Sequence, residues 1–150
     1  MRVYLDNCCY NRPFDEQGEL AVLVETIAKL QIQALMRAGR IEYAWSDVLG
    51  LEVSRNPFLE RRERILDWMM GAAVYIESTD EIVERGREIE GMGVKPKDAL
   101  HLASAEKAEC DWFFTTDKGI LRKVRQLGEM RIVNPVEFAM EDDDDTREYL

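Results

Sequence analysis

The stretch that decides the fold is VYLD, residues 3–6, in which a short apolar run ends on a carboxylate. WFFTTD, residues 112–117, repeats this arrangement with a second apolar run that leads to an acid. Continuous apolar runs are typical of parallel strands that are buried on both faces of a sheet. Because such sheets bind their ligands beyond the carboxyl ends of the strands, we expect Asp6 and Asp117 to emerge at the ligand-binding edge.

Strand-like runs and helical patterns alternate along the rest of the chain. Further strands are predicted at residues 41–45, 73–76 and 130–133. Helices are predicted over about 20–38, 46–55, 58–70, 79–90, 96–109 and 117–127, with a last turn of helix after Asn134. This alternation predicts an α/β fold whose central, mostly parallel sheet is covered by helices on both faces.

Local signals mark the ends and faces of several predicted helices. Ser46 can cap the helix after the second strand, Ser78 with Glu81 forms a capping box, and Pro96 suits a first helical position. The helix over residues 20–38 has apolar residues that recur on one face: Leu20, Leu23, Val24, Ile27, Leu30, Ala34 and Leu35.

Length and composition indicate one domain, over residues 1–140. With 150 residues and 46% hydrophobic content, the chain can bury a core without disulfides or a structural metal. Three irregularly spaced cysteines and a single histidine argue against a disulfide framework and against a Cys/His zinc site. No apolar run can span a membrane and no signal-peptide layout is present, so we expect a cytoplasmic protein.

The charge balance bears on the partners of the chain. The net charge is −10, and residues 141–150 (EDDDDTREYL) form an acidic tail that we expect to be disordered. A nonspecific nucleic-acid binder usually has a basic footprint, so contact with a polyanion here requires divalent cations or local basic clusters. The clusters RRERILDW (61–68) and LRKVRQ (121–126) are more typical of solvated helix faces than of an RNA track.

Two further acids accompany the strand-tip aspartates. Glu52 lies in a short helix after the second strand, and Asp98 lies in the first turn of the helix that begins near Pro96. Each acid alone has a structural explanation, because a helix dipole favours a carboxylate in the first turn. Together, close carboxylates repel unless a hard cation neutralises them, and oxygen ligands indicate Mg²⁺ or Mn²⁺. A cation held in this way suits phosphodiester hydrolysis.

The segments YLDNCC, SDVLGLEVSR, KPKDALHLASA and FFTTDKGIL together resemble the PIN-domain family, which includes VapC-type ribonuclease toxins and related stand-alone prokaryotic proteins. The resemblance runs from Val3 to about Phe138. It implies a three-layer α/β/α sandwich and Mg²⁺- or Mn²⁺-dependent cleavage of single-stranded RNA by an endoribonuclease. It also implies metal-binding and catalytic roles for Asp6, Glu52, Asp98 and Asp117, with Thr115 as a catalytic hydroxyl residue.

The resemblance also suggests partners and substrate contacts. It implies an antitoxin protein and a homodimer, for which Trp68, Met69 and Met70 offer a surface. Asn7 stands where the family often has Ser or Thr, and we expect it to contact substrate. Arg12 suits a bidentate phosphate contact or, equally, a salt bridge to a nearby acid.

Two other classes of function remain open at this stage. The acidic body of the chain is compatible with a non-cleaving interaction or RNA-binding module on the same scaffold. A phosphotransfer enzyme that uses Asp6 as nucleophile is disfavoured, because Cys8 stands where a phosphatase of that type needs a second aspartate. His101, three residues after Asp98, is either a proton donor or phosphate contact, or a packed and hydrogen-bonded helix residue.

Overall fold

The central sheet has six strands in the computed structural model, which describes residues 1–141. The strands are β1 (Arg2–Leu5), β2 (Glu42–Ser46), β3 (Val74–Ile76), β4 (Trp112–Phe114), β5 (Gln126–Leu127) and β6 (Met130–Val133). Their order across the sheet is β3-β2-β1-β4-β6-β5. Every pairing is parallel except that of β5 with β6, so the predicted mostly parallel sheet is confirmed.

Helices cover both faces of this sheet. They are α1 (Asn7–Asn11), α2 (Leu20–Arg37), α3 (Asp47–Ser54), α4 (Leu59–Leu66), α5 (Asp80–Glu90), α6 (Pro96–Lys107), α7 (Lys118–Lys123) and α8 (Pro135–Met140). Short 3-10 helices span Arg12–Phe14 and Asp67–Gly71. Tyr4 of β1 reaches His101 of α6, whereas Tyr43 of β2, on the opposite face, borders a cavity with Lys29 of α2. The predicted α/β/α architecture is therefore confirmed.

The segment after β4 differs from the helix predicted over residues 117–127. Helix α7 ends at Lys123, and Val124 is already extended with φ of −147°. Residues Gln126–Leu127 then pair with β6 as an antiparallel hairpin. Gly128, with φ of 59°, opens the two-residue turn, a position at which glycine has no steric penalty. The prediction was wrong here because the pairing partner lies beyond the helical pattern.

Helix capping agrees with the sequence at two places and differs at a third. Ser46 accepts the backbone N–H of Leu49 at 3.1 Å, and Pro96 occupies the first position of α6. The capping box at Ser78 is wrong, because Thr79 caps α5. Ser78 instead donates its hydroxyl to Asp47 at 2.7 Å, which joins the start of α5 to α3.

Helix α2 presents much of its apolar face to solvent. The exposed residues Leu20, Leu23, Val24, Ile27 and Leu30 are called the α2 stripe below; Leu20 is 74% and Ile27 50% exposed. The buried residues of the same helix include Thr26, Lys29 and Gln33 alongside Ile32, Leu35 and Met36. The apolar periodicity therefore does not mark the side of this helix that faces the core.

Three smaller predictions concern cysteines, membrane and tail. Cys8, Cys9 and Cys110 are free thiols, as expected. No helix in residues 1–141 has the length and apolar character needed to cross a bilayer. Residues 142–150 of the predicted acidic tail lie outside the described residues.

Candidate metal centre

Asp6 stands at the end of β1 with its carboxylate buried and held on both sides. Its backbone N–H donates to the carbonyl of Phe114 at 2.9 Å, which continues the ladder between β1 and β4. Its Oδ1 accepts the N–H of Asn7 at 2.8 Å, so Asp6 caps helix α1. Its Oδ2 accepts the hydroxyl of Thr115 at 2.8 Å, and the thiol of Cys8 lies 3.5 Å away. The carboxylate is therefore fixed in orientation.

Thr115 and Asp117 follow β4 at the same edge of the sheet. The Thr115 hydroxyl that donates to Asp6 also accepts the backbone N–H of Asp117 at 3.1 Å. Asp117 caps α7, accepting the N–H of Gly119 at 2.7 Å and that of Ile120 at 3.2 Å on its Oδ1. Thr115 thus ties the two strand-tip acids together, and the parallel sheet brings both acids to one edge as the sequence predicts.

Glu52 is anchored through a chain of buried polar groups. Its Oε2 lies 3.3 Å from Nε2 of His101. The other ring nitrogen of His101, Nδ1, lies 2.6 Å from the Tyr4 hydroxyl, which in turn lies 2.7 Å from Oγ of Ser46. Both ring nitrogens of the buried His101 are engaged. His101 therefore orients Glu52, which favours the packed, hydrogen-bonded interpretation of this histidine.

The charge state of Glu52 depends on two basic side chains of α6, His101 and Lys97. Lys97 Nζ lies 3.1 Å from Oε2 of Glu52. Burial by itself would raise the pKa of Glu52, but the hydrogen bond and charge of His101, followed by those of Lys97, outweigh it and lower the pKa to about 2. In return, the pKa of Lys97 is raised by Glu52. Glu52 is therefore ionised throughout the physiological range.

Asp98 lies half-buried in the first turn of α6. Burial raises its pKa to about 6, and the negative charges of Asp6, Asp117 and Glu52 add to the effect, with His101 opposing it. Three other carboxylates thus influence Asp98 from β1, α3 and the β4–α7 junction. A bound cation would compensate this crowding of negative charge.

The donor set suits a hard divalent cation. One ligand atom each of Asp6, Glu52 and His101 lie within 4.8 Å of one another. Asp98 and Asp117 are not part of this triplet but act on it electrostatically. Because carboxylate oxygens predominate, the group fits Mg²⁺ or Mn²⁺ better than zinc. The four predicted acids converge on one edge, and their roles as ligands stay a prediction.

The predicted substrate contacts lie just beyond Asp6. The Asn7 side chain accepts from Nδ2 of Asn11 at 2.9 Å within α1. The Arg12 guanidinium pairs with Asp15 at 2.9 Å and with Glu25 at 3.1 Å. Arg12 thus forms the salt bridges that the sequence left as the equal alternative to phosphate binding.

Lys97 and Tyr4 were missed as site residues. Lys97 directly precedes Asp98 in KPKD, so its sequence position alone placed a cation beside the acids. No sequence signal indicates the role of Tyr4. Its apolar neighbours predict a buried strand, and that pattern does not show that its hydroxyl has a hydrogen-bonding role.

The chain has an α/β/α fold with acids gathered at the carboxyl edge of its sheet. Such an arrangement of acids suits a divalent cation. The PIN-domain family model matches residues 14–127, which is more than half of the 150 residues. The chain belongs to the PIN-domain family, whose members are generally nucleases. The matched segment contains Glu52, Asp98 and Asp117, while Asp6 precedes it.

Solved structures share this fold at low sequence identity. FitAcB from Neisseria gonorrhoeae is 16% identical, with a TM-score of 0.56 over 89% of this chain and 97% of that chain. VapBC2 from Rickettsia felis, bound to a DNA fragment from its promoter, is 14% identical, with a TM-score of 0.53 over 89% and 98%. FitAB bound to an IR36 DNA fragment is 16% identical, with a TM-score of 0.57 over 89% and 95%. No curated protein matches the sequence.

Proposed function

We propose that this protein is a cytoplasmic, divalent-metal-dependent endoribonuclease that hydrolyses single-stranded RNA. The observation that carries the proposal is the convergence of Asp6 and Glu52 at one sheet edge, with Asp98 under the charge of both. Crowded carboxylates are costly unless a cation compensates them. Membership of a family of nucleases supports phosphodiester hydrolysis as the chemistry of the site.

The side chains of the site have distinct tasks in this proposal. Asp6, Glu52, Asp98 and Asp117 would hold Mg²⁺ or Mn²⁺. A cation held by these residues would lower the pKa of a water and offset charge on the phosphoryl group. Thr115 keeps the Asp6 carboxylate in place, and His101 with Lys97 keeps Glu52 ionised.

Substrate contact is proposed for Asn7, at the start of α1, and for Arg12, just after its end. Asn7 lies next to Asp6 and offers an amide near the acids. Arg12 adds a guanidinium at the end of the same segment, and an approaching phosphate would compete with Asp15 and Glu25 for it. Substrate binding through Arg12 therefore requires an exchange of ion pairs.

The nuclease proposal is tested with Asp6→Asn and Asp98→Asn, which keep side-chain shape and remove charge. Asp80→Asn is the matched control, because Asp80 is also an acid in the first turn of a helix, α5. We expect Mn²⁺-dependent cleavage of a single-stranded RNA by the wild type and by the control variant. We expect the two site variants to lose cleavage by about a hundredfold or more. Undiminished cleavage by both would refute the assignment.

The same experiment separates the nuclease from a non-cleaving module. Calorimetry with Mn²⁺ measures binding to the acids independently of any cleavage. If the wild type binds Mn²⁺ or RNA and the RNA stays intact, the interaction-module alternative replaces the enzyme. Chelation by EDTA should abolish the cleavage that the nuclease proposal predicts.

We also propose that the protein acts as the toxin of a toxin–antitoxin pair. VapBC2 and FitAB, which share its fold, are toxin–antitoxin complexes, and this supports an antitoxin protein as partner. Of the three residues predicted to offer a homodimer surface, Trp68 is half-buried against the core, so the homodimer is proposed near Met69 and Met70, which are 40% and 87% exposed. Light scattering of the purified chain measures this oligomeric state.

A further inference from the structure

A cavity of about 1130 Å³ lies between α2, α4 and the 3-10 helix at Asp67–Gly71. We call it the α2–α4 cavity; its walls include Tyr10, Lys29, Gln33, Arg61, Arg64 and Trp68. The acids Asp6, Glu52, Asp98 and Asp117 are not among its lining residues. The cavity is therefore separate from the candidate metal centre, and the ribonuclease proposal does not use it.

Lys29 is a buried cation in this cavity. It is 3% exposed, and its side-chain ammonium forms no hydrogen bond or ion pair with any residue in 1–141. Its Nζ lies 5.7 Å from the centre of the Tyr10 ring, a cation–π contact. Burial lowers the pKa of Lys29. Cys9 opposes this shift, and the positive charge of nearby Arg37 adds to it. An ammonium in this position lacks an anion.

Two more polar groups of the cavity wall lack partners. Nε2 of Gln33 and the hydroxyl of Tyr10 are buried without a hydrogen bond. Gln33 follows Lys29 by one helical turn, so the two side chains are neighbours on α2. The Lys29 ammonium also faces the Tyr10 ring. Three residues with groups that can donate thus line the same cavity, and a carboxylate offers the negative charge and the acceptor lone pairs that they require.

The rim of the cavity is aromatic and carries more basic than acidic side chains, with Arg37, Arg61 and Arg64 against Glu60 and Asp67. The Arg61 guanidinium lies 4.8 Å from the Phe58 ring centre and 5.5 Å from that of Phe14. The Arg37 guanidinium lies 4.7 Å from the Trp68 ring centre. Arg61 pairs with Asp15 at 3.6 Å and Arg64 with Glu60 at 3.1 Å, so the local excess of positive charge comes from Arg37 and Lys29. An approaching acidic group is attracted to this rim and meets apolar rings beside it.

The α2 stripe continues the same surface. Leu30 belongs both to the stripe and to the cavity wall. A row of exposed leucine, valine and isoleucine side chains favours an apolar protein segment, which buries them, over RNA, which gains little from them. Cavity and stripe together therefore match a segment whose apolar residues flank a carboxylate.

We propose that the α2–α4 cavity and the α2 stripe form a docking surface for a protein partner that inserts an aspartate or glutamate toward Lys29, Gln33 and Tyr10. The apolar residues of the partner segment cover the stripe. The inserted carboxylate supplies the anion for Lys29. This docking does not depend on ribonuclease activity, so either proposal can fail alone.

The carboxylate subsite is tested with a small probe. NMR titration with 3-phenylpropionate, monitored at the Trp68 indole and the Gln33 side-chain amide, is compared with titration by uncharged 3-phenylpropionamide. We expect saturable shifts with the carboxylate and binding weaker by about tenfold with the amide. Lys29→Met and Gln33→Leu should each weaken carboxylate binding, whereas Lys95→Met, at an exposed lysine, should not. Absence of saturable binding, or equal binding by Lys29→Met, overturns the subsite.

The choice of a protein as occupant is tested by peptide display against the whole chain. Selected peptides should carry a carboxylate flanked by apolar residues, and its replacement by the corresponding amide should weaken binding by about tenfold. Ile27→Lys on the stripe should weaken the peptide but leave 3-phenylpropionate unchanged. A single-stranded oligoribonucleotide that competes with the peptide and needs Lys29 would assign the surface to RNA and overturn the proposal. Peptides selected without a carboxylate would also overturn it.

Discussion

Replacement of Lys29 by methionine is expected to stabilise the folded protein, although it removes the proposed anion subsite. Burial lowers the pKa of Lys29 from 10.5 to about 7, with Cys9 opposing the effect and Arg37 adding to it. One pKa unit corresponds to about 1.4 kcal/mol, so at neutral pH the native state loses about 4 kcal/mol relative to an unperturbed lysine. Methionine is unbranched and fills a similar volume without a charge.

The pH dependence of this effect has a definite sign. Between pH 7 and about 10 the unfolded chain binds a proton at Lys29 that the folded chain does not bind. The free energy of unfolding of the wild type therefore falls as the pH falls through this window. The variant lacks this term, so its advantage should be largest at pH 7 and below. It should shrink by about 1.4 kcal/mol per pH unit above that.

Urea unfolding followed by tryptophan fluorescence measures the difference at pH 7, 8 and 9. Lys95→Met serves as the control, because Lys95 is exposed and its loss should change stability little at any of these pH values. If Lys29→Met destabilises the protein at pH 7, or if the difference does not vary with pH, Lys29 is not a buried, uncompensated cation. The argument for an anion subsite would then lose its basis.

Three further substitutions test the site and the fold. Tyr4→Phe removes the hydroxyl that meets Nδ1 of His101 at 2.6 Å; it should lower the urea-unfolding free energy by about 1–3 kcal/mol, because a buried polar group loses its partner. Thr115→Val removes the hydroxyl bonded to Asp6; Mn²⁺ affinity measured by calorimetry should fall about 10–100-fold, and an unchanged affinity would contradict the proposed role. Gly128→Ala, at φ of 59° with open space around it, should cost about 1 kcal/mol in thermal unfolding.

The positions of the acids were accessible from the sequence because strand direction and side-chain chemistry are local properties. An apolar run that ends on Asp6, and another that leads to Asp117, define two strand tips, and a parallel sheet necessarily places them at one edge. The first-turn position of Asp98 follows from Pro96 in the same way. These features need only short-range patterns and one rule about sheet topology.

The partners of those acids were not accessible, because they depend on distant segments. His101 reaches Glu52 and Tyr4 across three different elements of the fold. Ser78 donates to Asp47 instead of capping α5, because an acid from α3 lies within reach of it. A local sequence pattern indicates which groups a side chain can bind. Which of them it does bind depends on the segments that pack against it in the folded chain.

By itself the sequence determined the alternation of strands and helices, the mostly parallel sheet and the four acids at its carboxyl edge. Tertiary structure alone decided the direction in which helix α2 faces. Its apolar periodicity describes an amphipathic helix, but Leu20 and Ile27 face solvent while Lys29 lies in a cavity. The physical reason is that helical periodicity predicts only which residues share a face. The face that turns inward is set by packing, here by the core contacts of Ile32, Leu35 and Met36.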